Sequence, residues 1–200
     1  LCRRLDGAGG IHRQKLAQLV PGVEHQGIAA ALSAHGYADW STVETLAASL
    51  DMPLFLVLDG IEDPRNLGSI LRSADAAGVD AVIIPKRRAV GLTQVVAKTS
   101  AGAVAYVPVV RVTNLAQAVD RLKALNVWVM ASDFGGENFH EIDYRLPLAL
   151  IIGNEGKGVS PLLRKKCDRI ATIPMKGQVA SLNASVAAAV MLFEVMRQRG

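Results

Sequence analysis

The chain has 200 residues, half of them hydrophobic and a fifth charged, which is ordinary for a soluble globular protein and long enough for one α/β domain with a substantial core. No apolar run reaches the length of a membrane span and no signal peptide opens the chain, so a cytoplasmic protein with no membrane partner is expected. The net charge of +4 is compatible with a polyanionic partner but does not demand one, while the 4% aromatic content argues against a base-stacking sheet platform.

Residues 1–36 are mixed and glycine-bearing, with a short amphipathic stretch from His12 to Leu19 that cannot bury a core by itself. They read as the tail of a domain, and a chain opening on Leu1 is expected to be a piece or processed form of something longer. Residues 37–52 read as a linker carrying a short helix from Thr42 to Leu50, and the main domain is expected over 53–200.

From Leu54 onward, strands and helices alternate. Strands are expected at 54–58, 81–84, 106–110, 127–131, 148–152 and 170–173. Helices are expected at 67–77, 93–100, 115–125, 161–166 and from Ser181 to about Arg197. Sequential alternation with apolar, β-branched strands predicts a parallel sheet covered by helices on both faces, a Rossmann-like pattern. Neither G-x-G-x-x-G nor a Walker A loop is present, because Val159 follows Gly158 where Walker A requires Ser or Thr. Cys2 and Cys167 form no CxxC pattern and the four histidines show no metal-ligand spacing, so no disulfide framework and no metal site are expected.

Three strand-turn-helix junctions stand out, since a helix N-terminus presents unpaired backbone N–H groups to a ligand. They are DPRNLGSILRSADAAGV (63–79), IIGNEGKGVS (151–160) and IPMKGQVASLNASVAAAV (173–190). Taken one at a time, each has a plain structural reading. Asn66 suits a helix cap, Arg72 a solvated helix face, GNEGKG a tight turn, and Asn183 a helix start.

Together and in this order, the three segments resemble the signature motifs of the SpoU (TrmH-type) branch of the SPOUT RNA methyltransferases, over a region from about Pro53 to the C-terminus. Within that branch the chain is most similar to enzymes that methylate a guanosine ribose of 23S rRNA. The stretch His25-Gln26-Gly27-Ile28 is similar to the end of their small RNA-binding N-terminal domain, so residues 1–36 would be its remnant.

The resemblance implies a parallel α/β sheet whose last strands and C-terminal helix form a trefoil knot holding S-adenosylmethionine. A knot runs against the general topology of proteins and could not be expected from the pattern. Carried over motif by motif, Gly153, Glu155 and Gly156 would form one wall of the cofactor pocket, and Ile173, Met175, Leu182 and Asn183 the other. Ser132 is a further candidate. Asn66, Arg72, Glu155 and Asn183 would serve catalysis of ribose 2′-O-methylation.

Family members work as homodimers paired through the C-terminal helix, with RNA as partner. The 185–196 segment, apolar on more than one face, agrees with that. The alternatives are a tRNA 2′-O-ribose methyltransferase, a non-catalytic RNA-binding relative, and a nucleotide-binding enzyme of another class.

Overall fold

The computed structural model describes residues 36–154, 156–179 and 181–200. The expected N-terminal remnant, apart from Gly36, lies outside the described residues.

Six strands form one sheet: β1 (Leu54–Asp59), β2 (Ala81–Pro85), β3 (Val109–Val112), β4 (Trp128–Asn138), β5 (Leu148–Gly153) and β6 (Arg169–Thr172). Their order is β3-β2-β1-β5-β4-β6, and every pairing is parallel. The helices are α1 (Trp40–Ser49), α2 (Pro64–Ala76), α3 (Gln94–Thr99), α4 (Leu115–Ala124), α5 (Pro161–Lys166) and α6 (Ala184–Arg199).

Alternate strand residues point to opposite faces, so each central strand feeds two cores. Leu54, Leu56, Leu58, Leu150 and Ile152 pack with Ile70 and Leu71 of α2 and Met191 and Val195 of α6. Phe55, Val57, Ala149 and Ile151 pack with Val119 and Leu122 of α4 and Val43 of α1. Burial on both faces is the reason these strands read as unbroken apolar runs.

The expected linker, 37–52, is fastened to the sheet. Ala38 bridges Val110, the Tyr37 hydroxyl accepts a hydrogen bond from the Leu92 amide (2.9 Å), and Val43 is fully buried.

Several boundaries differ from expectation. β3 begins at Val109 rather than Tyr106, because a 3-10 turn over Ala103–Ala105 takes the amides of Tyr106 and Val107 into bonds with the Ala103 carbonyl (3.0 Å each). Tyr106 is therefore left 77% exposed. β4 runs seven residues beyond the expected Ala131, to Asn138, because its register against β6 shifts between Ser132 and Glu137 and pairing resumes after the bulge.

α2 begins at Pro64, three residues before the expected Leu67. Asp63, not Asn66, is its cap: the Asp63 carboxylate accepts from the Arg65 amide at 2.8 Å, and Pro64 fits the first helical position, where no amide is needed. Asn66, expected as a cap, lies in the first turn and is released for another partner. α6 begins at Ala184, with Asn183 as its cap.

Candidate active site

Because the strands are parallel, the loops after β1, β5, β4 and β6 all leave the same edge of the sheet, where ligands bind in open α/β folds. After β5 the chain turns back on itself. Asn154 and Gly158 exchange backbone hydrogen bonds of 3.2 and 2.8 Å, and Gly158 sits at φ +64°, in the left-handed region glycine tolerates. A Cβ on Gly153 would collide with the Gly158 carbonyl and the Val159 amide nitrogen. The turn therefore requires glycine at 153 because backbone meets backbone there.

This turn is tied to the loop after β1. The Asn154 side chain donates to the Gly60 carbonyl (2.9 Å) and accepts from the Gly156 amide (2.9 Å), while Asp59 accepts from the Ser160 amide (2.8 Å).

The second wall is the bulge at 133–136, where β4 departs from β6. Arg164 of α5 pairs with the Asp133 carboxylate and donates to the Phe134 carbonyl (2.8 Å). The Thr172 hydroxyl donates to the Asp133 carbonyl (2.7 Å) and accepts from the Gly136 amide (2.8 Å). These bonds satisfy backbone groups that the bulge removes from the ladder.

The third wall comes from Ile173, Met175, Ser181 and Leu182. Between the walls lies a cavity of about 340 Å³, lined among others by Ser132, Gly153, Gly156, Ile173, Met175 and Leu182. Of the residues singled out for cofactor binding, those six line it. Asn183 stands between two lining residues, Leu182 and Ala184, and Glu155 lies outside the described residues.

The cavity also takes Asp133, Phe134, Lys157, Thr172 and Ala187, which sequence reasoning missed. The paired glycines at 135–136, four residues past the end of the expected strand, were the available signal for a bulge.

Asn66 and Asn183, 117 residues apart in sequence, meet: the Asn183 Nδ2 donates to the Asn66 Oδ1 at 3.1 Å. The Asn183 Oδ1 meanwhile accepts from the Ser185 amide (2.9 Å) and hydroxyl (2.6 Å), so one amide both caps α6 and holds α2. Arg72 is exposed on α2. Six helical residues separate it from Asn66, about 9 Å along the axis and about a third of a turn around it.

Among the described residues no histidine or cysteine lines the cavity. Burial pushes the Cys167 thiol up to about 11, with the neighbouring Asp168 charge adding to it, so this side chain is no thiolate nucleophile at neutral pH. No group of three or more His, Cys, Asp or Glu side chains among the described residues could hold a metal ion. None of the described helices is long and apolar enough to cross a membrane.

The family model of the SpoU rRNA Methylase family matches residues 53–193. The chain belongs to the SpoU rRNA methylase family. It is 49% identical over 191 residues to a Bacillus subtilis protein assigned to the TrmH family of tRNA/rRNA methyltransferases, covering 94% of this chain and 76% of that one. A TrmH family relative in Staphylococcus haemolyticus is 52% identical over 181 residues, covering 88% and 71%.

Among solved structures, the SpoU methyltransferase AviRb from Streptomyces viridochromogenes in complex with AdoMet superimposes with a TM-score of 0.72 at 32% identity, over 78% of this chain and 61% of that one. The chain thus spans less than two thirds of that enzyme's length. The Aquifex TrmH/SpoU tRNA modifying enzyme gives a TM-score of 0.66 at 29% identity, over 80% and 83%. As a SpoU protein the chain has the SPOUT-type α/β fold, and its family is one of S-adenosylmethionine-dependent RNA methyltransferases.

Proposed function

We propose that this SpoU protein transfers the methyl group of S-adenosylmethionine to the 2′-hydroxyl of a guanosine ribose in 23S rRNA, acting as a cytoplasmic homodimer. The observation that carries the reading is the 3.1 Å bond between Asn183 and Asn66, which joins the first motif to the third beside a cavity walled by the second and third.

The cavity fits the cofactor in size and in chemistry. Small-molecule sites run from about 300 to 1,000 Å³, and this one combines apolar walls (Ile152, Ile173, Leu182) with a lining of backbone at Gly153 and Gly156. When bound, S-adenosylmethionine supplies an electrophilic methyl on a sulfonium, which is already a good leaving group. In this reading Ser132, Gly153, Glu155, Gly156, Ile173, Met175, Leu182 and Asn183 hold it. The protein's remaining work is to aim the ribose oxygen and manage its proton, and positioning of that kind is worth roughly 7 to 11 kcal/mol.

Asn66 and Asn183 orient the hydroxyl from the junction of α2 and α6, with Glu155 as the motif's acidic group. Arg72 is not the base in this reading, because a guanidinium offers five N–H donors and no acceptor. Its role is to clamp the target phosphate and stabilise charge developing on the oxygen, while water or another group accepts the proton.

Two structural proposals accompany this. From β5 the chain passes to β6, outside β4, and returns through 173–183 to α6, which packs on α2. That path supports a trefoil knot around the cofactor loops. On α6, Val186, Phe193 and Met196 are 47%, 44% and 38% exposed and share one helix face, which supports pairing with a second copy.

The test is transfer of labelled methyl from S-adenosylmethionine to unmodified 23S rRNA beside a tRNA pool, with Arg72→Ala as control. Labelling of one rRNA guanosine ribose, lost in the variant, is the expected result. Labelling of tRNA alone would move the substrate to the alternative class. Transfer to neither RNA by a protein that binds RNA would mark a non-catalytic relative.

A further inference from the structure

The cations of this chain are distributed unevenly between neutralised and free positions. At the β4–β6 end of the sheet, Lys123, Arg164, Lys166 and Arg169 each lie within ion-pair distance of an acid, with Lys165 exposed and unpaired beside them. At the other end, among the described residues, Lys86, Arg87 and Arg88 in the loop after β2, Arg65 on α2 and Lys98 on α3 are all exposed and none is ion-paired.

These five belong to one connected surface. The Val90 amide donates to the Ile61 carbonyl (2.9 Å), binding the β2 loop to the loop after β1 that leads into Asn66. Gly68 has no room for a Cβ against Thr99, and the Thr99 hydroxyl reaches the Pro64 carbonyl (3.5 Å), so α3 lies on the first turn of α2.

The loop itself is fixed in place. Arg88 holds a left-handed φ of +57°, and the bonds from Lys86 to the Val112 carbonyl (2.8 Å) and from Leu92 to the Tyr37 hydroxyl (2.9 Å) anchor its two ends. Three adjacent like charges on an anchored loop repel one another, with Asp80, six residues before Lys86, the nearest acid in sequence. A polyanion relieves that repulsion, and a row of free guanidinium and ammonium groups matches a phosphate backbone.

We propose that Lys86, Arg87 and Arg88, continued by Lys98 and Arg65, form a phosphate track that holds the single-stranded RNA flanking the target nucleotide and leads it to the Asn66–Asn183 junction. This rests on the RNA-modifying reading above. The track supplies affinity and direction without reading bases, because phosphate contacts position a strand and base contacts specify it.

The test is fluorescence anisotropy of a labelled single-stranded RNA oligonucleotide across a salt series, on the full chain. The variants are Arg87→Gln/Arg88→Gln and, as a charge-matched control at the far end, Lys123→Gln/Arg169→Gln. Calorimetry with S-adenosylmethionine checks that each variant keeps its cofactor affinity. The track predicts that the Arg87/Arg88 variant binds RNA about tenfold more weakly near 0.1 M salt, and that its log-log salt slope is shallower by about 1.4, roughly 0.7 for each lost phosphate contact. The control should match the wild type. Equal affinity and slope in the two variants would overturn the track while leaving the RNA reading intact. A wild type that binds the cofactor but no RNA would overturn both.

Discussion

Asn183 performs two tasks that a pair of substitutions separates. Its Oδ1 caps α6 through the Ser185 amide (2.9 Å), and its Nδ2 holds Asn66 (3.1 Å). Asn183→Ala removes both. Loss of a cap costs about 1 kcal/mol, and loss of a half-exposed neutral hydrogen bond about 0.5 to 1. The sum of about 1.5 to 2 kcal/mol corresponds to roughly 3 to 8 °C in Tm for a domain of this size.

Asn183→Ser keeps a good capping oxygen, but its hydroxyl is too short to replace the amide arm to Asn66. Its melting temperature should therefore fall by about half as much or less. Methyl transfer should be lost to the same degree in both variants, because both lose the junction of the first and third motifs. Thermal melts and single-turnover methylation, measured side by side, decide the matter. Full activity in Asn183→Ser beside an inactive Asn183→Ala would refute the reasoning, since the cap alone would then be sufficient.

Gly153→Ala should destabilise the domain by about 1 to 3 kcal/mol and weaken S-adenosylmethionine binding, because the added methyl must push the Gly158 carbonyl aside; urea denaturation and calorimetry check the two effects. Arg164→Met should loosen the bulge at 133–136, which Arg164 holds through Asp133 and Phe134, and raise KM for the cofactor more than it lowers kcat, as steady-state kinetics would show. Hydrogen bonds from Arg197, helped by Gln198, the Arg197 charge and His140, hold the buried Glu194 carboxyl at about 2 against the opposing effect of its burial. A depressed carboxylate stabilises the fold fully above its unfolded pKa near 4.5 and loses that contribution as pH falls through about 2. Glu194→Gln should thus flatten the acid arm of the stability curve between those values while lowering stability at neutral pH. The proposed pairing through α6 predicts that the chain sediments as a dimer and that Phe193→Asp, at the exposed face of α6, sediments as a folded monomer.

The sequence alone determined the layered architecture. Runs such as LFLVL and LALIIG are apolar at every position, and only a sheet buried on both faces accommodates that, while Asp63, Thr93 and Asn114 carry the side chains that cap the helices following them. The identity of the three motifs was equally local, because each lies beside a helix start and reads off contiguous residues.

Tertiary structure decided what those residues touch. Asn66 looked like a cap until Asp63 took that position and left Asn66 to meet Asn183 from the far end of the chain. Asp133 and Phe134 gave no periodic signal, since their place in the cavity depends on a register shift between two strands that are not consecutive in sequence. Lys86, Arg87 and Arg88 are adjacent in the sequence, but that they stay free while Lys123, Arg164, Lys166 and Arg169 pair with acids was decided by the fold; charge can be counted from a sequence, but neutralisation depends on distance.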